Sequence, residues 1–189
     1  RSLTVVFGRW RNFSVAKNVV FEARVLLTQL HYAAATIGLV GLDDDRHTLA
    51  LIYNARVSPQ WGFQAHNRSG TAYITRAIDT EIEANRWVTV RIATTSGPER
   101  SATLFIDGAQ VMTLAGEAVP DQPLCAELQV WNQSAFGQWS SPALQVDYLR
   151  VDIVQGGPTL AVPAPTGTAI NTVGSSVTRS NFWKIMKKL

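Results

Sequence analysis

Residues 87–114, WVTVRIATTSGPERSATLFIDGAQVMTL, constrain the fold more than any other stretch of this chain. Trp87 to Thr94 is rich in β-branched residues and alternates across a pleat, the pattern of a strand with one buried face. Ser96-Gly97-Pro98 interrupts the run with residues that suit turns and cannot sustain a ladder. Ala102 to Ile106 resumes it, Asp107-Gly108 supplies the positive-φ pair of a tight hairpin, and Ala109 to Leu114 returns. The stretch therefore predicts three consecutive antiparallel strands.

The rest of the body repeats this grammar. Leu3 to Phe7, Val19 to Leu27, Ala35 to Leu42, Thr48 to Tyr53, Trp61 to His66, Ala72 to Ile74, Cys125 to Trp131 and Leu144 to Val154 read as further strands with turn residues between them. In VVFEARVLL, Val19, Phe21, Ala23, Val25 and Leu27 share one face. Glu22 and Arg24 share the other, where a solvated pair is expected. No long segment before residue 180 has apolar residues at helical spacing. Many short strands at regular intervals indicate an all-β, two-sheet antiparallel jelly-roll sandwich.

Composition and charge narrow the function. Hydrophobic residues make up 46% and charged ones 16% of 189 residues, which is enough for one folded domain with a sizeable core. Residues 1–157 hold 13 of the Lys and Arg against all 14 acids, a net −1; Arg179, Lys184, Lys187 and Lys188 make up the rest. A body this neutral lacks the basic clusters of a nucleic-acid-binding protein. No apolar run is long enough to span a bilayer, and the opening residues lack the pattern of a secretory signal. The chain begins at Arg1 and not at Met, which suggests processing or preceding residues. The single Cys125, inside the apolar run PLCAELQVW, is expected to be a buried inert thiol.

VFEARV, VGLDDD, AIDTEIEANRWVTVRI, ATLFIDGAQV and LQVDYLRVDIV occur in the order found in concanavalin A-like lectin/glucanase (laminin-G-like) jelly-roll domains, which the chain resembles over roughly residues 19–154. The Asp79-Thr80 pair before a Trp-led strand, the strand ending in Ile106-Asp107-Gly108, and the closing VDYLRV look most like the versions in bacteriophage tail and virion proteins. That resemblance implies a jelly-roll domain (1–154) in a non-enzymatic virion component, decorating a capsid or tail. The alternative it implies is a carbohydrate-binding, lectin-like module of a secreted or cell-surface protein.

Some members of this superfamily are glycosidases, which need two carboxylates about 5–5.5 Å apart for retaining chemistry. On a strand that requires acids at alternating positions. Glu81-Ile82-Glu83 is the one candidate, and it precedes the Trp87 strand where a turn is more natural; the glucanase pattern of Glu, Asp and Glu along one strand is absent. No enzyme activity is expected on this reading. Asp43, Asp44 and Asp45, with His47, could offer oxygen ligands to Ca²⁺, although adjacent aspartates do not converge on one centre, and an acidic turn is favoured. No other cofactor is indicated. For a surface glycan, Trp139 in the polar loop NQSAFGQWSS is the best stacking candidate, followed by Trp61 with His66 and Tyr73; Trp131 and Trp87 lie in strands and are expected in the core.

After Val154, QGGPTLAVPAPTGTAINTVGSSVT is uncharged and rich in Gly, Pro, Ser and Thr, an extended linker over 155–179. Residues 180–189 then place Phe182, Ile185, Met186 and Leu189 on one helical face, with Trp183, Lys184, Lys187 and Lys188 elsewhere. A helix this short does not persist alone in water, so it is expected to order against a protein partner in a larger assembly; a membrane surface is disfavoured.

Overall fold

In the computed structural model, residues 2–7, 13–14, 18–41, 47–67, 72–133 and 142–154 are described. Twelve strands run in chain order: β1 (Ser2–Phe7), β2 (Phe13–Ser14), β3 (Val19–Leu27), β4 (Ala33–Gly41), β5 (Thr48–Asn54), β6 (Ser58–Asn67), β7 (Ala72–Ala77), β8 (Val88–Thr95), β9 (Ser101–Ile106), β10 (Ala109–Ala115), β11 (Pro123–Asn132) and β12 (Leu144–Ile153). The described residues contain no helix. All pairings are antiparallel: a seven-stranded sheet in the order β1-β11-β4-β5-β6-β7, with β2 beside β11, and a five-stranded sheet in the order β10-β9-β8-β3-β12. The expected jelly-roll sandwich is present.

The three strands anticipated from Trp87 to Leu114 are β8, β9 and β10, side by side. Alternation explains which residues fill the space between the sheets. Phe21, Val25, Val90, Ile92 and Leu104 come from the five-stranded sheet. They meet Ile37, Leu39, Leu49, Leu51, Phe63, Leu124 and Leu128 from the seven-stranded one. Burying one such side chain is worth about 1.5–3 kcal/mol, so this layer dominates stability. Thr94 is the polar exception on the inner side of β8. Its buried hydroxyl accepts from the Val19 amide at 2.7 Å and donates to the Val19 carbonyl at 3.1 Å, satisfying both groups where β3 begins.

Four sequence expectations are corrected here. Glu22 is not solvated but 6% exposed, because the register sets it between Arg91 on β8 and Arg150 on β12, and the Tyr148 hydroxyl donates to its Oε1 at 2.9 Å. Arg24 is exposed as expected, paired with Asp147 at 2.8 Å. Trp131 is not in the core: its inner-face neighbours Leu128 and Val130 are, and Trp131 lies half-buried on the other side of β11. Trp87 is not in the core either: it lies half-buried just before β8, with the Arg24 guanidinium 5.4 Å from its ring centroid. The short β2 was not anticipated, since two residues carry no periodicity. The linker 155–179 and the segment 180–189 lie outside the described residues.

Candidate functional site

The inner face of the seven-stranded sheet is taken up by core residues, so the residues alternating with them form its outer face. Register aligns these into four rows. Trp131 stands opposite Ala34, and Ala34 opposite Asn54. Gln129, Thr36, Ile52 and Gly62 form the next row, then Glu127, Gly38, Ala50 and Gln64, then Cys125, Val40, Thr48 and His66.

Side-chain size gives this face a shape. Along its middle lie Ala34, Thr36 and Gly38 of β4 and Ala50 of β5, which project little, with the larger Ile52 in the second row and Val40 and Thr48 in the last. Glu127, Gln129 and Trp131 of β11 stand on one side, and Gln64 and His66 of β6 on the other, all half-buried. The two walls are three strand spacings apart, about 14 Å. Gly38 is required here: a Cβ at that position would come 2.5 Å from the Leu49 carbonyl oxygen and 2.7 Å from Ala50 Cα. The result is a strip of small side chains, Ala34 and Ala50 themselves 0% exposed, flanked by an aromatic side chain and several hydrogen-bonding groups; this strip with its two flanks is the candidate channel. Among the described residues on this face, Glu127 is the one carboxylate. Retaining glycoside hydrolysis needs a second about 5–5.5 Å away.

The sequence-predicted residues divide between several places. His66 belongs to the channel. Trp61 does not: it is 4% exposed, packs on Tyr53 with ring centroids 4.9 Å apart, and donates Nε1–H to the Ile82 carbonyl at 3.3 Å. Tyr73 stands opposite His66 in register. Glu81 and Glu83 are exposed in the loop before β8, on either side of buried Ile82, away from the channel floor. Cys125 is buried, as expected. Trp139, Asp43, Asp44, Asp45 and the segment Phe182, Trp183, Lys184, Ile185, Met186, Lys187, Lys188 and Leu189 lie outside the described residues.

Glu127, Gln129 and Gln64 were missed by sequence reasoning. A signal existed: CAELQVW places Glu127, Gln129 and Trp131 at i, i+2 and i+4, a polar face on a strand whose other face is apolar. Gln64 and His66 repeat it on β6.

The two-sheet fold is similar to the concanavalin A-like jelly rolls of solved β-glucanase structures. No family model and no curated protein sequence matches the chain. Among solved structures it is similar to a glycoside hydrolase family protein from Mycobacterium thermorestibile (17% identity, TM-score 0.56, covering 75% of this chain and 65% of that one). It is also similar to a Bacillus licheniformis β-glucanase (11% identity, TM-score 0.57, covering 79% and 77%). A third likeness is to a pseudo β-1,3-glucanase of Mycobacterium tuberculosis (17% identity, TM-score 0.58, covering 77% and 67%). The chain thus spans just under two thirds of the first of these proteins.

These likenesses correct the functional expectation. The resemblance to phage proteins pointed to a non-enzymatic virion component, yet the solved structures sharing this fold are glycoside hydrolases and β-glucanases, with no phage protein among those named. The expectation that the chain is not an enzyme is overturned with it. The carbohydrate-binding alternative agrees better with these neighbours.

Proposed function

We propose that this is a carbohydrate-active domain that binds a β-glucan along the outer face of its seven-stranded sheet. The observation that carries this reading is the channel itself, the strip of Ala34, Thr36, Gly38 and Ala50 between Trp131, Gln129 and Glu127 on one wall and Gln64 and His66 on the other. A polysaccharide chain is long and flat, with apolar ring faces and hydroxyl edges. A sheet face that sets an aromatic side chain beside amide and carboxylate groups is complementary to it. The glucanase likenesses support the choice of β-glucan, two of the similar structures being a β-1,3-1,4-glucanase and an endo-1,3-β-glucanase.

The test is affinity electrophoresis and calorimetry with lichenan and laminarin, with reducing-sugar release measured in parallel. Binding to at least one glucan is expected, weakened about fivefold by Trp131→Ala through loss of a stacking surface worth roughly 1 kcal/mol. A domain that neither binds nor cleaves either glucan would refute the reading.

A further inference from the structure

One end of the channel carries two anomalies that the fold alone does not require. Tyr32, in the turn between β3 and β4, has φ +56°, a left-handed conformation that a bulky residue rarely adopts. The turn is closed by the Ala33 amide donating to the Leu30 carbonyl at 3.1 Å, which puts Tyr32 at its third position. Gly or Asn would occupy that position with less strain. Directly across, the Gln133 amide donates to the Tyr32 carbonyl at 2.7 Å. The side-chain Oε1 of Gln133 is buried without a hydrogen-bond partner. Each feature is costly, and buried polar groups are ordinarily paired.

Register locates both anomalies on the candidate channel. Trp131 faces Ala34 and Asn132 faces Ala33, so Gln133 and Tyr32 continue the same ladder by one step. The His31 ring lies 3.8 Å from the Tyr32 ring, centroid to centroid. Beyond Trp131 the channel therefore ends in a pair of rings and an acceptor that lacks a donor.

We propose that Tyr32 and Gln133 form a terminal saccharide subsite, in which Tyr32 gives a ring surface and Gln133 Oε1 accepts a hydrogen bond from a sugar hydroxyl. Gln133 is half-buried as a residue, and in this proposal its side chain turns to present the amide oxygen to the ligand. The backbone strain is tolerated because the left-handed turn fixes Tyr32 in place before ligand arrives, which reduces the ordering cost of binding. This inference rests on the β-glucan reading and adds the position of the channel's end.

The experiment compares affinities for a laminari-trisaccharide and a laminari-hexasaccharide in wild type, Tyr32→Asn, Gln133→Met and Trp131→Ala, with a thermal melt of each. Wild type should bind the hexasaccharide at least tenfold more tightly. Tyr32→Asn and Gln133→Met should lower hexasaccharide affinity fivefold or more and leave the trisaccharide within twofold. Neither should lower the melting temperature, since Asn suits the turn and Met removes an unpaired acceptor. Trp131→Ala should weaken both ligands. If the rim variants keep the wild-type ratio of affinities, or if wild type binds both lengths equally, there is no subsite at Tyr32, while the channel reading stands. If Tyr32→Asn loses melting temperature but not the ratio, the tyrosine is structural and the inference is wrong. If wild type binds neither ligand nor any glucan, both readings fall together.

Discussion

Asp107 and Thr89 are joined twice across adjacent strands: the Asp107 amide donates to the Thr89 carbonyl at 2.9 Å, and Asp107 Oδ1 accepts from the Thr89 amide at 2.8 Å. The first residue of the hairpin turn between β9 and β10 therefore also latches β8. Asp107 does this at φ +51°, and Gly108 follows at φ +84°. An Asp tolerates that conformation because its short polar side chain bonds locally.

Asp107→Ala should remove the acceptor and leave Ala in a left-handed conformation. Together these cost about 2–3 kcal/mol. For a domain of this size that corresponds to a fall in melting temperature of roughly 4–10 °C. Asp107→Asn retains both the acceptor and the tolerance of positive φ, and should melt within about 2 °C of wild type. Equal losses in the two variants would mean that the ion pair with Arg86, at 3.5 Å, matters more than the latch.

Two glycines separate close approach from backbone conformation. Gly38→Ala drives a Cβ into the β5 backbone at Leu49 and Ala50, and β4 and β5 must part to admit it. A loss of at least about 3 kcal/mol is expected, seen as poor soluble yield or early melting. Gly108→Ala meets nothing within 4 Å and suffers only the strain of φ +84°. It should cost about 1–2 kcal/mol. A Gly38→Ala protein as stable as Gly108→Ala would contradict the tight packing of β4 on β5.

These residues show what could be read without a structure. Asp107-Gly108 announced its hairpin because local chemistry and the global fold demand the same thing there. The β3 alternation gave its core face correctly, with Phe21, Ala23 and Val25 inward. It could not reveal that Glu22 would be buried, because burial of the outer face depends on Arg91 and Tyr148, distant in sequence. Trp61 and Trp131 were exchanged for a similar reason. Aromaticity marks both as adhesive, but only the register decides which faces outward. Tyr32 left no trace, since its conformation runs against its own preference. The channel is a property of four strands at once: Glu127, Gly38, Ala50 and Gln64 form one row only after β11, β4, β5 and β6 have paired.

Tyr148 makes stability sensitive to alkaline pH. Burial raises its pKa first, and the hydrogen bond to Glu22 and that carboxylate's charge raise it further. Burial raises Tyr53 as well. The unfolded chain loses these protons near pH 10 while the folded protein still holds them. The unfolded state then binds fewer protons, so stability falls as pH rises. The contribution is intact below about pH 10 and is lost as pH climbs through the folded pKa values. Melting temperatures between pH 8 and 11 should decline at the upper end, and less steeply in Tyr148→Phe. An unchanged slope in that variant would assign the alkaline transition to other groups.

The final prediction concerns Glu127. It is half-buried on the β11 wall, directly across from Gly38. A carboxylate accepts sugar hydroxyls more strongly than an amide does, because hydrogen bonds to a charged group contribute about 1.5–3 kcal/mol against about 1 for neutral ones. Glu127→Gln keeps the shape and one acceptor oxygen, so the fold should melt within a few degrees of wild type. Affinity for lichenan or laminarin should drop roughly three- to thirtyfold, the difference between those two classes of bond. The same variant tests the chemistry. Glycoside hydrolysis needs paired carboxylates, and Glu127 is the one that the described channel supplies. Any reducing-sugar release by the wild-type domain should therefore disappear in Glu127→Gln. Release that persists at the wild-type rate would place the reacting carboxylates away from this face, and unchanged binding would remove Glu127 from the ligand's path.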